Sequence, residues 1–159
     1  GLKEFCRNLK KLINKKKNYQ FFWILHTNSE IRKIIFEMFR SKAGDNLSFL
    51  EPLSPDKFYH YLINSNFVLT DSGGVQEEAA YLGIPSLIVR NKTERNEIIE
   101  LKLGKIIGVD GNSLLSSFNF FENNKLSTKN ISKWRRIQGS GKSGAKTANI
   151  INCFFLKDK

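Results

Sequence analysis

The chain has 159 residues, of which 40% are hydrophobic and 12% aromatic, and this composition favours a globular domain over a disordered chain. Its formal net charge of +11 leaves nucleic acid, an anionic membrane and an acidic partner open, although the lysines are scattered. No apolar run reaches about 18 residues and no signal peptide opens the chain, so we expect a cytoplasmic protein without a membrane span. Cys6 and Cys153 lie far apart without CxxC spacing, so neither a disulfide nor a metal site is expected.

Helical patterns alternate with short apolar runs along the chain. The first half predicts a helix that ends at the lysines 15–17, a strand at QFFWIL, a helix over 29–40 capped by Ser29, a strand at LSFL, a helix over 54–65 and a strand at NFVLT. The second half predicts a helix over 74–83, a strand at PSLIVR, a helix over 93–103, a strand at KIIGV and a helix over 112–121. The polar stretch 122–133 predicts a loop, and the last apolar pattern predicts a closing helix over 144–156.

The predicted strands are apolar along their whole length and alternate with helices. Strands of this kind are typical of a parallel sheet that is covered by helices on both faces. The sequence therefore predicts an α/β fold with a Rossmann-like, doubly wound parallel sheet.

Polar residues follow three strands of this sheet at its carboxyl edge, where open α/β sheets bind their ligands. His26 ends the first strand, Asp71 and Ser72 end the third, and Arg90 and Arg95 follow the fourth. A histidine, a serine turn and arginines at one edge predict a site for a diphosphate.

The turn Ser72-Gly73-Gly74 opens a helix, whose N-terminal amides and dipole suit an anion. Its glycines permit positive φ and a close approach of the backbone to a ligand. Glu77 and Glu78 are predicted in the first helical turn, where one serves the dipole and the other accepts hydrogen bonds from a sugar diol. From pattern alone, an ordinary strand–helix turn and a structural histidine at a strand end remain alternatives.

Three stretches of the sequence carry a family resemblance. They are HTNSEIR at 26–32, TDSGGVQEEAAYLGIPSLIVRNKTER at 70–95 and GVD at 108–110. Together they resemble the carboxyl-terminal domain of the UDP-N-acetylglucosamine 2-epimerase family. The chain departs from the family pattern at Thr27 and Asn96, which replace prolines, and within residues 139–146, where a Gly-Asp-Gly turn is usual.

The resemblance implies that residues 1–159 are the carboxyl-terminal, UDP-binding half of a two-domain GT-B type fold, with the UDP-sugar in the cleft between the halves. It assigns the diphosphate to Ser72, Gly73 and Gly74 and the ribose hydroxyls to Glu78. It also implies that Phe58 and a main-chain contact near Leu53 line the uracil pocket. Arg95 and the candidate catalytic residue His26 would face the diphosphate and sugar side.

The chemistry implied by the resemblance is elimination of UDP to leave a 2-acetamidoglucal, which is re-protonated on the other face and recombined with UDP. In the hydrolysing branch of the family, N-acetylmannosamine and UDP are released instead. No cofactor is implied. The acid and base carboxylates belong to the amino-terminal half, so this chain alone is expected to be inactive, with its closing helix packed on that half and the full enzyme a possible homodimer.

The stretch GSGKSG also suggests a phosphate-binding P-loop, but Arg136 stands where the pattern needs glycine and no apolar strand precedes it. A basic nucleic-acid-binding module is a further alternative, because KWRRIQGSGKSGAK combines Trp134 with basic residues. Salt-dependent binding of single-stranded DNA would favour the nucleic-acid-binding module. Selective binding of UDP would favour the epimerase half.

Overall fold

A computed structural model describes residues 1–40, 45–139 and 141–156 of the chain. Within these residues, five strands are present: β1 (Phe21–Ile24), β2 (Leu47–Leu50), β3 (Val68–Thr70), β4 (Ser86–Ile88) and β5 (Gly104–Ile106). Eight helices accompany them: α1 (Leu2–Lys15), α2 (Ser29–Phe39), α3 (Pro55–Ile63), α4 (Gly73–Leu82), α5 (Asn96–Glu100), α6 (Leu114–Asn123), α7 (Thr128–Gln138) and α8 (Ser143–Leu156).

All strand pairs among the described residues are parallel. β1 and β2 form a two-stranded sheet, and β3, β4 and β5 form a separate three-stranded sheet with β4 in its centre. The two sheets share one hydrophobic cluster, because β1 contributes Phe21 and Trp23 to it while β3 and β4 contribute Leu69 and Leu87. The predicted α/β class with parallel strands is confirmed.

The central strand β4 shows that helices cover both faces of the sheet. All three of its residues are buried. On one face, Leu87 belongs to the same hydrophobic cluster as residues of α1 and α6. On the opposite face, Ile88 of β4 lies beside Ile98 of α5, and both are close to Gly104. This two-sided burial explains why the strand is apolar throughout.

Helix α1 is held to the core by one continuous apolar stripe. Cys6, Leu12 and Ile13 are fully buried on it. Burial raises the pKa of the Cys6 thiol to about 11, so this thiol is protonated and inert near neutral pH. Cys153 is exposed, and both cysteines are free.

The boundaries of α2 and α5 differ from the sequence predictions for physical reasons that the structure shows. The N-cap of α2 is Asn28 rather than Ser29, because the Asn28 side chain accepts the first amides of the helix and Ser29 is already helical. Helix α5 is shorter than the predicted helix over 93–103, because the Thr93 hydroxyl accepts the backbone N–H of Arg95 and keeps this segment in a turn. At the other end, Lys102 has a φ of +55°, which stops the helix.

Helix α7 occupies part of the stretch predicted as the loop 122–133, so that prediction was wrong. Ile131 and Trp134 pack it against α4 and α5, and Trp134 is 2% exposed. The Trp134 Nε1–H donates to the carbonyl of Glu77, and Asn130 donates to the carbonyl of Leu101. These tertiary contacts stabilise α7, although its mostly polar sequence does not predict a helix.

Helix α8 is present where the closing helix was predicted, and it differs from α7 in its surroundings. Every side chain described from residue 141 to residue 155 is exposed. Within the described part of the chain, no helix is both long enough and apolar enough to cross a membrane.

Candidate functional site

The start of α4 is capped by Ser72. The Ser72 N–H donates to Thr70 Oγ1 at 3.0 Å, and Ser72 Oγ accepts the N–H of Val75 at 3.5 Å. The helix begins at Gly73, so Gly73 and Gly74 are helical and neither has the positive φ that the sequence suggested. Their value lies in the absence of a side chain, which leaves the helix amides accessible.

The Arg95 side chain lies over Gly73. A Cβ on Gly73 would stand 3.4 Å from both Cζ and Nη2 of Arg95. A Cβ on Gly74 would meet only Ser72 Oγ, at 3.9 Å, so the space beyond Gly74 is open. The amides of Gly73 and Gly74 have no hydrogen-bond partner in the described structure. A guanidinium and two available N–H donors therefore share one small surface.

Arg95 is oriented by a neighbouring carboxylate. Its Nε donates to Glu77 Oε1 at 2.6 Å, while Nη1 lies 3.4 Å from Glu94, which also approaches Arg90 at 3.5 Å. The prediction of Glu77 and Glu78 in the first turn was wrong, because the helix starts earlier and its first turn contains no acid. Glu77 thus serves Arg95 rather than the helix dipole.

Glu78 is exposed, and its carboxylate has no hydrogen bond or ion pair within the described ranges. It projects from α4, which packs on α3 through Ala79, while Phe58 of α3 is half-buried against the same small cluster. Leu53, just before α3, is also half-buried. The structure thus leaves Glu78 available to a ligand and places Phe58 on the helix that packs beside it.

Gln76 and Thr93 are functional candidates that the sequence analysis missed. Gln76 is fully buried on the inner face of α4, and its Oε1 accepts a hydrogen bond from Thr93 Oγ1 at 2.9 Å. The available signal was a glutamine at helical spacing from Ala79 and Ala80 on an otherwise apolar face.

His26 lies at a second corner, at the start of α2. It is exposed, and its Nδ1 accepts the backbone N–H of Asn28 at 3.0 Å, which leaves Nε2 to carry the proton of the neutral ring. No hydrogen bond or ion pair joins His26 to Ser72 or Arg95 among the described residues. Its predicted place beside the diphosphate stays a prediction.

Arg32 fixes the same corner. Its two terminal nitrogens donate to Glu51 at 2.7 and 2.5 Å in a bidentate pair. This hydrogen bonding raises the pKa of Arg32 and lowers that of Glu51. The arginine of the HTNSEIR motif therefore ties α2 to the end of β2, shortly before Leu53.

The structure weakens both alternative readings of the basic segment near the end of the chain. Trp134 is buried beneath α4, so it cannot stack on nucleic-acid bases. The segment GSGKSG follows the helix α7 instead of a strand, as a P-loop would require, and its Ser140 lies outside the described residues. In the described part of the chain, no group of three or more His, Cys, Asp or Glu residues could hold a metal ion.

The chain is similar in sequence and in fold to known proteins of one family. The sequence profile of the family described as UDP-N-acetylglucosamine 2-epimerase matches residues 1–152. A probable UDP-N-acetylglucosamine 2-epimerase of Ralstonia nicotianae is 28% identical over 98% of this chain and 41% of its own length.

Solved structures agree with this match. A Staphylococcus aureus MnaA–UDP complex superposes with a TM-score of 0.83 at 25% identity, over 98% of this chain and 41% of that one. The UDP-GlcNAc 2-epimerase of Neisseria meningitidis bound to UDP-GlcNAc superposes with a TM-score of 0.69 at 30% identity, over 84% of this chain and 35% of that one. The chain therefore spans about two fifths of these relatives or less.

Proposed function

Because the chain belongs to the UDP-N-acetylglucosamine 2-epimerase family, we propose that it forms the UDP-binding half of an enzyme that interconverts UDP-N-acetylglucosamine and UDP-N-acetylmannosamine. The observation that carries the proposal is the Arg95 guanidinium over Gly73, beside two helix amides without a partner in the described structure. An anion at this point meets a positive charge, N–H donors and the positive end of a helix dipole.

The proposed diphosphate site consists of Ser72, Gly73, Gly74 and Arg95. The open space beyond Gly74 admits a phosphate oxygen, and the helix amides donate to it. Arg95 retains Nη2 for the ligand, since Glu77 engages Nε and Glu94 lies near Nη1. During the reaction, the same donors stabilise the negative charge of the departing UDP.

The nucleoside is proposed to bind toward α3. Glu78 accepts hydrogen bonds from the ribose hydroxyls, a role supported by its exposed carboxylate, which has no partner among the described residues. Phe58 presents a half-buried ring to the uracil, beside the main chain near Leu53. A half-buried ring on a packed helix is a rigid surface on which a planar base can lie.

His26 is proposed to act on the sugar side as the catalytic residue of this half. Because the N–H of Asn28 occupies its Nδ1, the neutral ring presents Nε2–H as a donor. A donor at the glycosidic oxygen assists the departure of UDP. Moving the proton at C2 of the sugar needs carboxylates near that carbon, and we assign these to the amino-terminal half of the enzyme.

We propose that α8 packs on that amino-terminal half. Its apolar residues Ile150, Ile151, Phe154 and Phe155 are exposed, and both phenylalanines are 72% exposed. Four neighbouring apolar side chains on one helix mark an interaction surface. The homodimer of the full enzyme and the cytoplasmic location stay predictions.

Calorimetric titration of the 159-residue chain with UDP, 2′-deoxy-UDP, uridine and random single-stranded DNA tests the binding proposal. We expect UDP to bind at least about tenfold tighter than uridine, because each charge-assisted hydrogen bond to the diphosphate contributes about 1.5–3 kcal/mol. The 2′-deoxy ligand should bind more weakly than UDP, and Glu78→Ala should remove this difference. Tighter, strongly salt-dependent binding of DNA would favour a nucleic-acid-binding module instead.

An activity assay tests the division between the halves. The purified chain alone should not convert UDP-N-acetylglucosamine, and activity should appear when an amino-terminal half is supplied in the same chain or as a separate fragment. Solubility should rise at the same time, because α8 becomes covered. Turnover by the chain alone that His26→Ala abolishes would show that the catalytic groups are misassigned.

A further inference from the structure

Gln76 is a buried polar side chain whose presence packing does not explain. It is completely buried, and its Nε2 has no partner among the described residues. Its neighbours on the same helical face, Ala79 and Ala80, are small and apolar. An amide that is buried with both of its N–H donors unpaired weakens folding, so an apolar side chain would serve the core better.

Among the described residues, the Gln76 side chain makes one hydrogen bond, and this bond leads toward the proposed diphosphate site. Its Oε1 accepts from Thr93 Oγ1 at 2.9 Å, and the same hydroxyl oxygen accepts the backbone N–H of Arg95 at 3.2 Å. A single hydroxyl group therefore links the interior of α4 to the backbone of the residue that lies over Gly73.

Arg95 is consequently held at two points. Thr93 fixes its backbone, and Glu77 fixes the Nε end of its side chain at 2.6 Å. Glu77 and Gln76 both belong to α4, so the backbone and the side chain of Arg95 are both fixed relative to the helix that carries the proposed anion site. The position of the guanidinium over Gly73 depends on both.

We propose that Gln76 and Thr93 are positioning residues that hold Arg95 over the start of α4 for the diphosphate of the ligand. This inference rests on the proposed UDP site. Thr93 bonds both Gln76 and the backbone of Arg95, so Gln76 acts on Arg95 only through Thr93, and both residues would act on the ligand through the guanidinium.

The test compares four variants of the 159-residue chain by calorimetry with UDP and with uridine. Thr93→Val and Gln76→Met should weaken UDP binding about tenfold, as expected for a misplaced contact group, and leave uridine within about twofold. Thr93→Ser keeps the hydroxyl and should restore UDP affinity, while Thr147→Val on the exposed helix α8 should change nothing. Gln76→Met should unfold at the same or a higher temperature, because it removes an unpaired buried amide.

A double-mutant cycle shows whether the effect passes through Arg95. In an Arg95→Ala background, Thr93→Val should cause no additional loss of UDP affinity. An equal loss in both backgrounds, or an equal loss for UDP and uridine, would overturn the proposal.

A measurement without ligand separates this inference from the proposed function. In a ¹H–¹⁵N spectrum of the unbound chain, the Nε–H signal of Arg95 should shift or broaden in Thr93→Val and stay in place in Thr93→Ser and Thr147→Val. If the native chain fails to bind UDP but this pattern holds, the proposed function is wrong and the positioning role stands. An unchanged signal in Thr93→Val would refute the positioning role, whatever the chain binds.

Discussion

Helices α2 and α4 both begin after a parallel strand and a short turn, but their N-termini differ in how many amides are already satisfied. At α2, Asn28 Oδ1 accepts the N–H groups of Glu30 at 2.9 Å and Ile31 at 3.2 Å. At α4, Ser72 Oγ accepts, within the described ranges, only the N–H of Val75, at 3.5 Å. The start of α4 therefore keeps more donors for an anion.

The arginines beside these two helices differ in the same way. Arg32 has both terminal nitrogens engaged by Glu51. Arg95 bonds Glu77 through Nε, its Nη1 lies 3.4 Å from Glu94, and its Nη2 has no ion-pair partner among the described residues. Both corners contain an arginine and a carboxylate, and the difference lies in the donors that remain free. Donor availability, rather than the presence of an arginine, therefore favours α4 as the anion site.

The largest effect is expected from a side chain placed at the first residue of α4. Gly73→Val should reduce UDP affinity about 100-fold, because the new methyl groups displace Arg95 and cover the amides, at about 1.5–3 kcal/mol for each lost charge-assisted bond. Ser29→Val at the equivalent position of α2 should change affinity less than about twofold. Calorimetry with thermal unfolding checks both variants, and a fall in UDP affinity matched by a fall in unfolding temperature would show that Gly73 is only structural.

A smaller effect is expected from the arginines. Arg95→Gln should weaken UDP about tenfold, because it removes one charge-assisted bond, while uridine affinity should stay within about twofold. Arg32→Gln should leave UDP affinity unchanged, since its donors already bond Glu51. Equal losses of UDP affinity in the two variants would contradict the comparison of the two helices.

Asn28 caps α2 and Ser72 caps α4. Asn28 should matter more for stability, whereas Ser72 should matter more for UDP binding. Asn28→Ala should lower the free energy of unfolding by about 1 kcal/mol, because two amides lose their acceptor. Ser72→Ala should cost only about a few tenths of a kcal/mol, because its one bond is long, yet it should weaken UDP binding. Urea denaturation measures the free energy of unfolding of both variants, and titration measures their affinity for UDP. If Asn28→Ala weakened UDP binding more than Ser72→Ala, this would argue against a binding role for Ser72.

The smallest effect concerns pH. The bond from Arg32 lowers the folded-state pKa of Glu51 below its usual 4.5, so the pair stabilises the fold in full above that value. This contribution is lost as the pH falls through the lowered folded-state pKa. The difference in stability between the native chain and Glu51→Gln should therefore shrink in acid, and it should be small because the pair is exposed to solvent. A difference that persists at pH 2 would show that Glu51 acts through packing.

Most of the fold was predictable because local patterns encode it. The apolar stripe of α1, the Ser54-Pro55 start of α3 and the left-handed Gly83 that ends α4 are short-range signals, and each predicted element is present. Helix α7 was missed because its sequence is mostly polar and it is stabilised by Trp134, which contacts α4 across 57 positions of the chain.

The candidate site was predictable in its residue types and only partly in its connections. The turn Ser72-Gly73-Gly74 and Arg95 follow from strand ends and helix starts, which a sequence shows directly. The partners of Arg95 do not follow, since Glu77 lies 18 positions away and Thr93 engages Gln76 across 17. Which of two glutamates faces an arginine depends on where α4 begins, and one residue of difference turns a helix by about 100°.

The hydrogen bond from Trp134 to Glu77 also provides the chain with an optical probe. The indole Nε1–H donates to the carbonyl of Glu77, whose carboxylate holds Arg95, while the other tryptophan, Trp23, is partly buried and packs against Phe5 of α1. In a Trp23→Phe chain, all indole fluorescence comes from Trp134. Two hydrogen bonds, both made by Glu77, connect this indole to the Arg95 guanidinium. Its emission can then follow ligand arrival in a stopped-flow instrument without any added label.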